Sequence, residues 1–145
     1  MASKTCAEIQ GKEYDWLGCD WGGNIALFST AGAGYAPPAF LRDTEAHDVA
    51  IQQILGLPAT TAARFFPTVA PGLSNTWRLV AERGLYAYDC DPNGGPYRLV
   101  AAPVVAAMAD ALPAAIVGVA KRVNCPGRFE LEAVVTKEML ERPDE

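Results

Sequence analysis

The residues that could catalyse a reaction are few and lie far apart in this sequence. His47 is the single histidine, so a Cys/His or Ser/His pair for nucleophilic catalysis would have to include it. We predict that it is solvent-exposed in the first turn of a helix, between Ala46 and Asp48. No Gly-x-Ser-x-Gly nucleophile motif occurs in the chain. A small hydrolase that uses Cys19 or Cys90 with His47 is therefore the third-ranked hypothesis.

The cysteines have spacings that favour neither a metal site nor a disulfide framework. They are Cys6, Cys19, Cys90 and Cys125, and no two of them form the Cys-x-x-Cys pair that is common in zinc sites. The first residues lack the apolar stretch of a signal peptide, which favours the reducing cytoplasm, where buried thiols are usually inert. We predict no metal, no cofactor and no catalytic residue, and hence no enzyme.

A glycine-rich loop is the next candidate for chemistry. Residues 30–34, Thr-Ala-Gly-Ala-Gly, follow a predicted strand, where a phosphate-binding loop would lie. The Gly-Lys-Ser/Thr ending and the third glycine of such loops are missing, so a structural turn is favoured. A small-ligand-binding regulatory domain that uses the loop from Gly32 to Gly34 is the second-ranked hypothesis.

Length and charge limit the class of partner. A chain of 145 residues with 50% hydrophobic residues is typical of one globular domain. The formal net charge of −5 is opposite to that of proteins that bind nucleic acid or anionic membranes, so a charged partner is expected to be basic. The apolar stretch 99–120 contains Pro103, Asp110 and Pro113, and we interpret it as a strand end followed by a helix, with no membrane span.

Two hairpins are predicted to carry the candidate contact residues. Residues 14–20 and 25–30 are rich in aromatic and aliphatic side chains, and a turn at 22–24, Gly-Gly-Asn, separates them. Both faces of the second strand are apolar, which predicts a central place in its sheet. The second hairpin joins residues 84–90 to 96–102 through the turn Asp-Pro-Asn-Gly-Gly.

Helices are predicted between and after the hairpins. Asp43 or Thr44 caps the first, which ends at Gly56, and a second runs from Ser74 to Gly84. The apolar stripe of the first consists of Ala46, Val49, Ala50 and Ile54. Residues 58–72 are predicted to form a loop whose Phe65 and Phe66 pack onto the core, and the helical pattern after Pro103 extends to about Val123.

The last predicted element is a strand over residues 129–135, with Glu130 and Glu132 on its solvent face. The sequence therefore predicts an α+β fold: a single domain, 1–145, with a mainly antiparallel sheet built from two hairpins and a C-terminal strand, and helices packed on it. Residues 1–12 and 137–145 are expected to be peripheral.

Six parts of the sequence, in their order along the chain, carry a resemblance to a known group of proteins. They are residues 14–20, 23–34, 84–89, 96–103, 112–113 and Phe129. In these segments the chain resembles a group of small bacterial immunity proteins that accompany polymorphic or type VI secreted toxins, although Cys90 stands where that group has tryptophan. The resemblance implies a protein that binds and occludes a cognate toxin effector. We expect this protein to be cytoplasmic and to be a monomer or small homo-oligomer.

Partner contacts are expected at polar and aromatic residues beside the predicted turns and on the last strand. A tryptophan next to carboxylates is typical of a binding hot spot with an acidic rim. For the carboxylate pairs, solvation or partner contact is favoured over catalysis. The candidate partner-binding residues are Asp20, Trp21, Asn24, Asp89, Asp91, Asn93, Glu130 and Glu132.

Overall fold

Apolar, β-prone segments form one mixed sheet in this α+β protein. The computed structural model describes residues 3–66, 75–90 and 94–141. Its strands are β1 (Asp15–Cys19), β2 (Ile25–Ser29), β3 (Ala63–Phe65), β4 (Tyr86–Cys90), β5 (Tyr97–Pro103) and β6 (Val134–Val135). Its α-helices are α1 (Cys6–Ile9), α2 (Pro38–Leu41), α3 (Thr44–Leu55), α4 (Asn75–Glu82), α5 (Ala114–Ala120) and α6 (Lys137–Glu141), and Ala109–Ala111 form a 3-10 turn.

Both predicted hairpins are present, and the α+β fold class is confirmed. β1 pairs antiparallel with β2, and β4 pairs antiparallel with β5. The strand order is β1-β2-β4-β5-β3, and β6 also pairs with β5. All five residues of β2 are buried, as expected for a central strand.

The two hairpins are joined by a parallel pairing of β2 with β4. Ala26 lies opposite Tyr86, and Ser29 lies opposite Asp89. Because the two strands run in the same direction, the turn that precedes β2 and the turn that follows β4 lie at opposite ends of the sheet. The sheet therefore separates two groups of candidate contact residues.

The two faces of the sheet are packed differently. One face carries an aromatic stack, in which the rings of Trp16 and Phe28 are 4.1 Å apart and those of Phe28 and Tyr88 are 4.9 Å apart. The other face is aliphatic, with Leu17, Leu27, Ala87 and Val100 among the buried residues that pack with α3, α4 and α5. Each side chain on a buried strand faces one of these two clusters, according to the alternation of the pleat.

The first long helix begins as predicted but exposes a different face. Asp43 caps α3, and its carboxylate accepts a hydrogen bond from the Ala46 N–H at 3.3 Å. Val49, assigned to the apolar stripe, is 50% exposed. The prediction that His47 is exposed is wrong, because the face of α3 that packs on the sheet includes His47, Ile51 and Ile54.

The predicted strand over 129–135 is wrong except for its last two residues. Residues 129–131 form a turn, and β6 is limited to Val134–Val135. The hydroxyl of Tyr88 donates to the carbonyl oxygens of Phe129 and Glu132, at 3.3 and 2.6 Å. Because residues 129–131 form a turn, Glu130 and Glu132 do not share one strand face.

The region after β5 is less helical than predicted. Residues 104–108 are not helical, and helix resumes in the 3-10 turn and in α5. Within the predicted loop 58–72, β3 forms along β5, and Phe65 and Phe66 are half-buried. Ser74, the predicted cap of α4, lies outside the described residues. In the part of the chain that the structure describes, no helix has the length and apolar composition needed to cross a membrane.

Candidate functional site

The turn between β1 and β2 is organised by the buried carboxylate of Asp20. Its Oδ1 accepts hydrogen bonds from the backbone N–H groups of Gly22 and Asn24, at 2.9 and 2.8 Å. Its Oδ2 accepts from the Asn24 side-chain amide at 3.3 Å and from the Phe129 N–H at 2.8 Å. Asp20 and Asn24 are each 5% exposed, so their side chains hold the turn and are not accessible to a partner.

Trp21 projects from this fixed turn. Its side chain is 58% exposed, while its backbone N–H donates to the carbonyl oxygen of Gly127 at 3.0 Å. The residues on both sides of it are tied through Asp20. A large aromatic side chain is thus presented to solvent on a backbone that is held by hydrogen bonds.

Two further apolar side chains are exposed on segments attached to the same turn. Asn24 forms a β-bridge with Met108, and the Ala109 N–H donates to the carbonyl oxygen of Gly23 at 3.0 Å. Met108 is 44% exposed. Leu131, in the turn that follows Phe129, is 75% exposed.

A charged pair completes this surface. The guanidinium of Arg128 lies 3.8 Å from the carboxylate of Glu130, and both side chains are more than half exposed. We define the hairpin-tip surface as Trp21, Met108, Arg128, Glu130 and Leu131. It combines apolar side chains with charged ones, the composition found where the core of a protein interface meets its rim.

The structure brings together only some of the predicted contact residues. Trp21 and Glu130 belong to the hairpin-tip surface. Glu132 is half-buried beside Gly127. Asp89 is half-buried at the opposite end of the sheet, and Asp91 and Asn93 lie outside the described residues.

Sequence reasoning missed Met108, Arg128 and Leu131. Leu131 was assigned to the apolar side of a predicted strand, and Met108 to a buried or partly buried helix. The sequence of this segment carried no signal for the exposure of Leu131, because the alternation of apolar and polar residues over 129–135 is the pattern of a strand.

His47 is buried and is hydrogen-bonded to the backbone of a neighbouring strand. Its Nδ1 accepts a hydrogen bond from the backbone N–H of Leu17 at 3.0 Å, and so covers part of the outer edge of β1. Burial and, to a smaller extent, the nearby positive charge of Arg122 lower the pKa of His47 to about 4, while the carboxylate of Asp43 opposes them. Its Nε2 is buried with no hydrogen-bond partner among the described residues.

The cysteines named for a hydrolase are not hydrogen-bonded to this histidine. Cys19 and Cys90 are both buried. Burial raises the pKa of the Cys19 thiol, which disfavours the thiolate that nucleophilic attack requires. The thiol of Cys19 instead contacts the carbonyl oxygen of Asp20 at 3.6 Å.

The glycine-rich loop lies at the end of the sheet opposite to the hairpin tip. The N–H groups of Ala33 and Gly34 both donate to the carbonyl oxygen of Thr30, at 3.1 and 2.8 Å. The Gly32 N–H points to the Thr30 hydroxyl at 3.4 Å. These donors are used within the loop, and the loop forms one wall of a cleft of about 500 Å³.

Within residues 3–66, 75–90 and 94–141, no three or more His, Cys, Asp or Glu side chains are grouped to hold a metal ion. Compared with known protein families, with curated proteins and with solved structures, the chain gives no match.

Proposed function

We propose that this protein is an immunity protein that binds a cognate bacterial toxin effector through the hairpin-tip surface and occludes the toxin. The observation that carries the proposal is the exposure of Trp21 on a turn fixed by the four hydrogen bonds to Asp20. Tryptophan is enriched among the residues that dominate binding energy in protein interfaces.

The rigidity of the turn supports tight binding. Association loses free energy when loops and side chains become ordered, so a turn that is already ordered keeps more of the contact energy. Asp20 ties the tip of the hairpin to Phe129, which belongs to a different part of the chain. A partner would therefore meet Trp21 and Leu131 on segments that are held together before binding.

The charge of the chain favours a basic partner. The formal net charge is −5, and long-range attraction between opposite charges raises the association rate. Glu130 supplies an exposed carboxylate at the hairpin-tip surface itself. Arg128 beside it offers a second charge that would help to fix orientation.

Co-expression tests this proposal. The chain is produced together with the toxin encoded beside its gene, and growth and co-elution on size exclusion are measured. Trp21→Ala is expected to weaken the complex by about 2 kcal/mol or more, which is roughly 30-fold in Kd, and to abolish growth rescue at low expression. Its thermal stability should change by less than about 0.5 kcal/mol, because the side chain is largely exposed.

Val49→Ala is the matched control. Val49 is also an exposed apolar residue, but it lies on α3 beside α5, in a groove that includes Ala115 and Val119. This variant should bind and protect like the original chain. Unchanged affinity in Trp21→Ala, or equal losses in both variants, would show that the hairpin-tip surface is not the toxin-binding site.

Charge reversal tests the electrostatic part of the proposal separately. Glu130→Lys should slow association several-fold at low salt and lose most of that effect at high salt. The control is Glu45→Lys, an exposed carboxylate in the first turn of α3. If both variants associate at the same rate, attraction through the hairpin-tip surface is refuted.

A further inference from the structure

The cleft beside the glycine-rich loop is built from segments that are distant in sequence. Its walls are the loop after β2, helix α1, the start of α6 and the residues just before β5. Ile9, Tyr35 and Pro96 supply apolar surface, and Lys137 and Glu138 supply one charge of each sign. A volume of about 500 Å³ is in the range of pockets that hold small organic molecules.

The charges around the cleft disfavour a nucleotide polyphosphate. The backbone N–H groups of the loop are directed at Thr30, so they do not form the cradle that a phosphate-binding loop offers. Among the described residues that line the cleft, Lys137 is the single basic one, and its ammonium lies 3.8 Å from the carboxylate of Glu141. Glu138 adds a second carboxylate at the wall.

The lysine and the glutamate at the wall of the cleft fit a molecule that carries one negative and one positive charge. The Lys137 ammonium lies 6.0 Å from the centre of the Tyr35 ring, so a positive donor and an aromatic surface are adjacent. We propose that this cleft binds a small zwitterion with an apolar body, the chemical class of free aromatic or aliphatic amino acids. Lys137 pairs with the carboxylate, Glu138 pairs with the amine, and Ile9 and Tyr35 contact the apolar body.

This site is independent of the hairpin-tip surface. The parallel pairing of β2 with β4 places the loop that follows β2 at the opposite end of the sheet from Trp21. A failure of one proposal would therefore leave the other standing.

Cys6 provides a direct readout of occupancy. It lines the cleft and is exposed, whereas Cys19, Cys90 and Cys125 are buried. In the folded protein, iodoacetamide should modify Cys6 much faster than the other three thiols. The rate of Cys6 alkylation, followed by mass spectrometry, is measured with L-tryptophan, tryptamine, indole-3-acetate or ATP, each at up to about 10 mM to cover millimolar Kd values.

We expect L-tryptophan to slow alkylation of Cys6 at a lower concentration than tryptamine or indole-3-acetate, and ATP to have no effect. In Lys137→Met the apparent Kd for L-tryptophan should rise about fivefold, the size expected for loss of one exposed ion pair. Glu138→Gln should act similarly, and Lys121→Met, which changes an exposed lysine next to α5, should leave the Kd unchanged.

Two results would overturn the proposal. The first is the absence of protection by L-tryptophan over the whole concentration range. The second is protection by L-tryptophan that is no stronger than that given by the singly charged compounds or by ATP.

Discussion

Acid should destabilise this protein through its single histidine. The Nδ1 of His47 accepts the Leu17 N–H, and the ring is fully buried, so protonation would place a charge in the core and remove that hydrogen bond. The pKa of His47 is lowered from its usual 6.5 to about 4. Between these two pH values the unfolded chain binds a proton that the folded chain does not, so stability must fall as pH falls.

The size of the effect follows from the pKa. A lowering from 6.5 to about 4 corresponds to about 3 kcal/mol in total, complete once the pH is below 4. Relative to pH 7, the contribution of His47 to the free energy of unfolding should decrease by about 1 kcal/mol at pH 5.5 and by about 2.4 kcal/mol at pH 4.5. This stability is fully present above pH 6.5.

Urea unfolding of the original chain and of His47→Asn would measure this contribution. The asparagine Oδ1 can take the place of Nδ1 as an acceptor for the Leu17 N–H, but it does not titrate. The difference between the two pH profiles isolates the histidine from all the carboxylates. A histidine NMR titration of the original chain gives the pKa directly, because there is one histidine. Parallel pH profiles, together with a histidine pKa near 6.5, would refute the reasoning.

Three substitutions and one control variant test the other structural arguments, each by its urea midpoint. Asp20→Ala leaves several turn donors without an acceptor and should cost about 3 kcal/mol, whereas Asp110→Ala, at an exposed site, should cost less than about 0.5 kcal/mol. Equal costs would contradict the role of Asp20. Gly34→Ala places a Cβ 2.7 Å from the Tyr97 hydroxyl and should cost about 1–3 kcal/mol. Gly118→Ala, in α5 with no atom within 4 Å of the new Cβ, should instead stabilise by about 1 kcal/mol, and a loss there would argue against the helix.

The hairpins were predictable because their signals are local. Alternation of apolar side chains and a short Gly-Asn turn lie within one stretch of sequence, and β1 and β2 pair as that stretch indicates. The cap of α3 was predictable for the same reason, since Asp43 bonds to a residue three positions away.

The parts that were mispredicted depend on distant partners. Asp20 was proposed as a contact residue because a carboxylate beside a tryptophan is typical of the acidic rim of a binding hot spot, yet its Oδ2 accepts from an N–H that lies 109 positions further along the chain. The burial of His47 likewise depends on Leu17, which belongs to another element. Periodicity within a segment carries no information about such pairs, so the strand expected at 129–135 and the exposed histidine were both wrong.

The candidate site was found in part. Trp21 was identified from its residue type and its place beside a turn. The exposed apolar residues Met108 and Leu131 were not, because their segments are far from Trp21 in sequence and are tied to the same turn only by long-range hydrogen bonds.

The parallel pairing at the centre of the sheet also has a consequence for how the chain folds. Ala26 pairs with Tyr86, a sequence separation of 60 residues, whereas each hairpin closes over a much shorter stretch. Closing the long loop costs more chain entropy before any contact forms, so the hairpins can form early while β2 and β4 meet late. The rate-limiting barrier should therefore lie at the docking of two preformed hairpins, and core substitutions at the β2–β4 junction should slow refolding more than those in either turn.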